Sequence, residues 1–499
     1  MGDHGFTQID LNDLIAYYHS FTGSREANYK NSLGEDLNWS LSFEQYKEAE
    51  TTKHVHRLHP YKGKFIPQLV EYFLDSHTDK FKKHVFFQKG DIVLDPFSGS
   101  GTTMVQACEL GIHAIGIDVS AFNTMIANCK VTRYDFQDIQ KELTRITMHL
   151  EKMIVSSQIA KFEDQLLAEL NAFNNKYFPV PDYKYRLRKD EINEKEYGKQ
   201  KENEFFPIYH SLLTRYQINL PSQTAENFIE KWFMPQAQGE INLVFSCIKE
   251  IKNPATKKII ALILSRTIRS CRATTHADLA TLLEPITTTY YCSKHGKVCK
   301  PLFSILKWWN TYTKDTINRL KQFDRLRTNT FQHCLTGDSR KINIFEEIKK
   351  KMSTGSSALH NAQTLDFGSL LEKQKIKGIF SSPPYVGLID YHEQHAYSYD
   401  LFGFERNDHL EIGPLFKGQT KEAQKNYIQG ISDVLINCKK YLIEDYDIFL
   451  VANDKYNMYP IIAENAGMLI LSQYKRPVLN RTEKDKRAYS ETIFHLKGK

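Results

Sequence analysis

Ile92-Val-Leu-Asp95-Pro-Phe-Ser-Gly-Ser-Gly101-Thr-Thr103 is the stretch around which the rest of the chain can be organised. The apolar run Ile92 to Leu94 predicts a buried strand that ends at Asp95-Pro96, and Phe97 to Gly101 turns into a helix over Thr102 to Leu110. Gly111 stops that helix, and His113 to Ile117 predicts a second strand closed by Asp118. Together these make one βαβ unit of a parallel sheet. Gly99 and Gly101 fall where the backbone must turn tightly and come close to a ligand, presenting bare amides to it. Asp118 follows Asp95 by 23 residues, where a doubly wound sheet offers a carboxylate to ribose hydroxyls, so an adenosine-containing cofactor is expected. A tight turn with no ligand is the competing reading. A nucleotide-hydrolase loop is disfavoured because Gly99 to Thr103 lacks the lysine, and a nicotinamide dehydrogenase because Met104 replaces the third glycine.

Outward from this unit the pattern changes twice. From about residue 135 to 330 it is helical and polar, with amphipathic stretches near 138–172, 224–252 and 255–270. Within it, residues 176–206 carry eight basic and seven acidic side chains and read as an exposed, mobile excursion. Strand patterns return at Gln332 to Leu335, Ile376 to Phe380 and Asp447 to Ala452, with an amphipathic helix at Tyr427 to Tyr441. Sheet elements on both sides of a helical block predict one α/β domain, split into 1–134 and 331–499 around an insertion at 135–330. The 499 residues, 41% hydrophobic and 12% aromatic, can fill such a core and exclude global disorder. No apolar run reaches the roughly 18 to 20 residues of a membrane helix, and the start lacks a leader pattern, so a soluble, cytoplasmic protein is expected. Eight irregularly spaced cysteines suit a reducing compartment.

Ser382-Pro-Pro-Tyr385 follows the strand at Ile376 to Phe380, at the carboxyl edge of the sheet where open α/β folds bind ligands. The two prolines fix a rigid turn without donor amides, which leaves carbonyl acceptors, and Tyr385 adds a flat ring. Acceptors beside a ring suit an exocyclic amine on a planar base. With the Asp95 to Thr103 loop, this motif resembles the paired cofactor and catalytic motifs of S-adenosylmethionine-dependent DNA amino-methyltransferases. His59-Pro-Tyr-Lys-Gly-Lys-Phe-Ile-Pro67 resembles the family segment packed against the methionine end of the cofactor, and Gly337-Asp-Ser-Arg340 the acid that meets the adenine amine. Tyr446 to Asp454 resembles a later core strand, and Arg476 to Glu491 the terminal hairpin near the target base.

The resemblance implies a Rossmann-like class I methyltransferase sheet carrying a large, mainly helical insertion. It implies S-adenosyl-L-methionine as cofactor, held by Lys64, Phe65, Asp95, Pro96, Phe97, Gly99, Gly101, Thr102, Asp118 and Asp338, with Ser382, Pro383, Pro384 and Tyr385 catalytic. The resemblance further implies double-stranded DNA with a flipped target base as partner, a separately acting cognate restriction endonuclease as a candidate one, and association with the nucleoid. Transfer is direct, and the absence of a Pro-Cys dipeptide argues against carbon-5 cytosine chemistry, which needs a thiolate. Ser382 in first place tilts the target towards the N4 amine of cytosine; the order of cofactor motif, insertion and catalytic motif is more often that of N6-adenine enzymes, which stay the alternative. A catalytically inactive nucleic-acid-binding protein and an RNA or protein methyltransferase are further rivals.

The net charge of +7 decides nothing alone, but Tyr474 to Lys499 carries eight basic and three acidic residues. Arg266, Arg269 and Arg272, spaced by three on a helix, and Arg476, Arg481 and Lys484 are the expected DNA contacts. His392 and His395 lie just beyond the catalytic motif, as proton acceptors or, more in keeping with their setting, structural partners. Cys292, His295 and Cys299 have zinc-like spacing with Cys271 a candidate fourth ligand, against a plain hairpin turning at Lys294-His295-Gly296; no metal is assigned.

Overall fold

Ile92 to Asp95 is a strand with every residue buried, as a central parallel strand covered on both faces must be. The structure, a computed structural model, describes residues 25–221, 227–276, 284–353, 363–479 and 488–499. In chain order the strands are β1 (Ile92–Asp95), β2 (His113–Asp118), β3 (Tyr290–Cys292), β4 (Lys297–Cys299), β5 (Gln332–Thr336), β6 (Ile376–Ser381), β7 (Leu442–Ala452), β8 (Met468–Pro477) and β9 (Ser490–Gly498). Seven of them form one sheet in the order β5-β2-β1-β6-β7-β9-β8, and β3-β4 is a separate antiparallel hairpin. The five strands from β5 to β7 run parallel, β9 is antiparallel to β7, and β8 to β9. This is the Rossmann-like methyltransferase sheet that the motifs imply.

Alternation along the strands sorts the core into two layers. Val93, Ala114, Phe380, Phe449 and Val451 face one layer, while Ile92, Leu94, Ile115, Ile117, Ile379, Ile448 and Leu450 face the other. Three helices belong to the first part of the sheet: α1 (Pro67–Leu74), α2 (Thr102–Leu110) and α3 (Ala121–Val131). The helical block follows, with long helices α4 (Phe136–Val155), α5 (Ile159–Tyr177), α6 (Glu194–Tyr216), α7 (Pro235–Lys249), α8 (Pro254–Cys271) and α9 (Leu306–Asp324). Beyond it, α10 (Lys421–Lys439) and α11 (Tyr459–Asn465) cover the second layer. The block shares the first layer: Phe162, Tyr209, Ile241 and Ile260 belong to the same buried cluster as Val93 and Phe449. Among the described residues no helix is long and apolar enough to cross a membrane.

One sequence expectation is corrected here. Residues 176–206 are not a loose excursion: Asp182–Arg188 is a short helix and α6 begins at Glu194. The charges lie on outer faces while aromatic rings hold the inner ones, with Phe178, Tyr183, Tyr197 and Tyr291 in mutual contact. Gly198 permits it, since a Cβ there would stand 2.5 Å from Tyr291 Cδ1. A charge count cannot see a stripe of rings.

Candidate active site

β1 and β6 lie side by side, and from them the strand order runs in opposite directions, so their carboxyl ends flank a crevice at the switch point of the sheet. Asp95, at the end of β1, accepts from Ser381 Oγ at 2.5 Å and from the Phe97 amide at 3.3 Å. The loop that follows has Gly99 at φ +48° and Gly101 at φ +77°. A Cβ on Gly101 would stand 2.8 Å from Ala127 Cβ, and one on Gly99 2.7 Å from Tyr61 Oη, so neither position accepts a side chain. Asp118, at the end of β2, accepts from the Gly99 amide at 2.9 Å, the Ser120 amide at 2.8 Å and Asn123 Nδ2 at 3.2 Å. The acid of the second strand thus holds the loop of the first. From behind, the fully buried Lys130 donates to the Ser100 carbonyl at 2.6 Å.

Burial pushes both Asp95 and Asp118 up to about 6, against the pull of those hydrogen bonds. Burial likewise brings Lys64 down to about 8; its Nζ donates to the His56 carbonyl at 2.6 Å. Phe65 packs edge-on against Phe380, with ring centroids 5.5 Å apart. Asp338, just beyond β5, is bonded by Arg340 Nε at 2.8 Å, and Ser339 Oγ donates to the Pro96 carbonyl at 2.6 Å. Lys64, Phe65, Asp95, Pro96, Phe97, Gly99, Thr102, Asp118 and Asp338 line one cleft, joined by Ser382 and Pro384; Gly101 caps α2 beside it. Two carboxylates poised to ionise suit a cationic ligand. Ser100 Oγ and Asn123 Oδ1, buried polar atoms of the cleft wall without a protein partner, suit a ligand with its own donors and acceptors. The donor set therefore fits S-adenosyl-L-methionine. A larger cavity of about 760 Å³ beside α3 and β5 contains none of these motif residues, so size does not locate the site.

Ser382 Oγ donates to the Val451 carbonyl in β7 at 3.0 Å, which turns its lone pairs away from that strand. Pro383 is buried and Pro384 half-buried. Tyr385 Oη donates to Glu491 Oε1 at 2.8 Å, and burial beside that carboxylate raises the phenol well above its ordinary range. Glu491 in turn pairs with Arg476 Nη1 at 3.5 Å.

The expected DNA contacts are placed differently from the sequence reading. α8 is buried almost all round from Ile259 to Ile268, so a charged side chain on it meets protein. Arg266 pairs with Asp315 at 2.5 Å and lies over the Tyr312 ring; Arg272 donates to the Arg269 carbonyl at 3.0 Å and lies over Tyr397. Arg269 is half-buried beside His59 and His395. Arg476, 3% exposed, donates to the Leu41 carbonyl at 3.1 Å and reaches Tyr385 through Glu491. Arg266, Arg272 and Arg476 are thus engaged internally rather than held out to a phosphate. Arg481 and Lys484 lie outside the described residues.

The histidines after the motif are also internal. His392 is paired with Glu411 and accepts from the Asn407 amide at 3.2 Å, while burial brings His395 down to about 3 among aromatic rings. Sequence reasoning missed the cleft's aromatic wall, Tyr61 stacked on Tyr391 at 5.9 Å, and its lining residues Asn123 and Glu411. Tyr61 sits inside the quoted His59 to Pro67 segment and Tyr391 in the polar stretch just after Tyr385, which were the available signals; Glu411 has none.

Residues 13–128 match a family model described as DNA methylase. The type II methyltransferase M.MjaII of Methanocaldococcus jannaschii is 44% identical over 496 residues, covering 98% of this chain and 89% of that protein. The type II methyltransferase M.MvaI of Kocuria varians is 22% identical over 27% of this chain and 28% of its own length. M.BsoBI of Geobacillus stearothermophilus, also a type II methyltransferase, is 30% identical over 20% and 18%.

Proposed function

The chain belongs to the S-adenosylmethionine-dependent type II DNA methyltransferases, and from that premise we propose that it methylates the exocyclic N4 amine of cytosine in a base flipped from duplex DNA. The observation that carries the reading is Ser382: a hydroxyl, not a carboxylate or amide, stands first in the motif, and its proton is already committed to Val451. An exocyclic amine is a poor nucleophile because its lone pair is delocalised into the ring. Ser382 Oγ and a carbonyl of Pro383 or Pro384 accept the amine hydrogens and draw the nitrogen towards tetrahedral geometry. Tyr385, anchored by Glu491, offers the ring on which the base stacks. The cofactor, when bound, supplies an electrophilic methyl group on a sulfonium. Asp118 takes the ribose, Asp338 the adenine amine, and Lys64, Phe65 and the Phe97 to Thr102 loop enclose the methionine end. The block at 135–330 is the target reader, and a cognate endonuclease of the same specificity acts separately.

The test is transfer of labelled methyl groups to duplex DNA of mixed sequence, with nucleosides separated after digestion and RNA and protein offered in parallel. N4-methylcytosine is expected. N6-methyladenine in its place overturns the base assignment, and label only in RNA or protein overturns the substrate.

The acids predict a pH dependence for cofactor binding. Below about 6 Asp95 and Asp118 are protonated and neutral; above it they are charged and attract the sulfonium. Affinity should rise by about tenfold from pH 5 to pH 7 by calorimetry. Asp118→Ala should weaken binding and flatten the rise; unchanged affinity in this variant removes the ribose role.

A further inference from the structure

We propose that His276, Cys292, His295 and Cys299 form a structural zinc site that pins the β3-β4 hairpin to the segment following α8. One ligand atom from each of the four lies within 4.8 Å of every other. Cys292 Sγ is 3.8 Å from His276 Nδ1, and His295 Nδ1 is 3.4 Å from Cys299 Sγ. A tetrahedral ion with bonds of about 2.3 Å to sulfur and about 2.0 Å to nitrogen has ligand-to-ligand edges of roughly 3.3 to 3.8 Å. The set closes around an ion with little movement.

The backbone is shaped for it. Cys292-x2-His295 forms a knuckle in which the His295 and Gly296 amides donate to the Cys292 carbonyl at 3.1 and 2.7 Å, and Gly296 takes φ +61°. Cys299 returns on β4. The fourth ligand comes from outside the hairpin and is His276, whose Nδ1 faces Cys292 Sγ; the Tyr290 hydroxyl, 2.8 Å from the same nitrogen, has to give way to the ion. Cys271, the fourth ligand considered from sequence, is instead buried in the core at the end of α8.

The hairpin has three residues in each strand, and Tyr290, Cys292 and Cys299 form a small cluster separate from the two main cores. Two strands so short are marginal alone; Asn174 and the rings around Tyr291 tie the hairpin to the helices, and a metal link across chain positions 276 to 299 would add a restraint towards the segment after α8. Two thiolates and two imidazoles suit a borderline-soft ion such as zinc over hard calcium or magnesium. Four protein ligands leave no open position, so the ion holds structure and takes no part in methyl transfer.

The full-length protein, purified from zinc-supplemented cells without a histidine tag, should contain one zinc ion per chain by elemental analysis. After zinc removal, cobalt(II) should give the visible bands of a tetrahedral site with thiolate charge transfer. Cys292→Ser and His276→Gln should lose that spectrum, and Cys271→Ser should keep it. Wild-type protein with only trace zinc and an octahedral cobalt spectrum overturns the proposal, as does a Cys292–Cys299 disulfide found by mass spectrometry. These wild-type measurements decide the matter even where a variant fails to fold, and they do not depend on methyl-transfer activity.

Discussion

Ser382→Ala should lower the rate of methyl transfer by roughly 10²- to 10³-fold while leaving the affinity for S-adenosyl-L-methionine nearly unchanged. The reason is the direction of one hydroxyl. Because Oγ donates to the Val451 carbonyl, the oxygen faces the crevice as an acceptor, and alanine deletes that acceptor without disturbing the glycine loop or the acids that hold it. The effect should fall on turnover, since the amine is drawn out of plane only as it reacts. Single-turnover kinetics with cofactor binding measured separately would check it; a rate within a few-fold of wild type would end the assignment of Ser382 to the reacting amine.

Glu491→Ala should destabilise the protein by about 3 to 5 kcal/mol and slow transfer as well. Arg476 is buried, and its opposite charge is Glu491; without it the guanidinium keeps, among the described residues, the Leu41 carbonyl as hydrogen-bond acceptor. Tyr385 loses the acceptor of its hydroxyl in the same substitution. Pairing the change with Arg476→Met should restore much of the stability, since no charge is then stranded, but not the rate, since Tyr385 stays unanchored. Urea titration and kcat with KM separate these effects. A single variant within about 1 kcal/mol of wild type would contradict the buried-pair account.

How far the sequence led depended on whether the signal was local. The glycine loop, Asp118 and the Ser382 to Tyr385 turn are contiguous or lie at a spacing set by one helix, and each strand they end was legible as a short apolar run. The class of sheet then followed from the family resemblance, and the seven-stranded, mostly parallel arrangement agrees with it, while the order of its strands was read only from the structure. What stayed hidden depends on packing between distant segments. Ser381 bonded to Asp95 joins residues 286 apart, and Tyr61 meets Tyr391 across a similar gap. Arg266 and Arg272 were legible only as a spacing for the same reason: spacing by three shows that residues share a face, not which neighbour the face meets. His276 joins the two cysteines because the chain folds back after α8; fifteen residues separate it from Cys292, a gap that zinc sites use, but the nearer cysteine, Cys271, drew the reading away from it.

The helical block is not hung on the sheet by a linker. Its apolar side chains and those of the parallel strands form one continuous interior, and Ser265 of α8 contacts both His59 at 3.0 Å and Ser398 at 2.8 Å. If the block is the reader proposed above, specificity is not a detachable cassette. Splicing the block from a relative of different target would trade half of a shared interior for one grown against another partner, so new specificities in this lineage should arise by piecemeal substitution on a conserved scaffold rather than by shuffling whole domains.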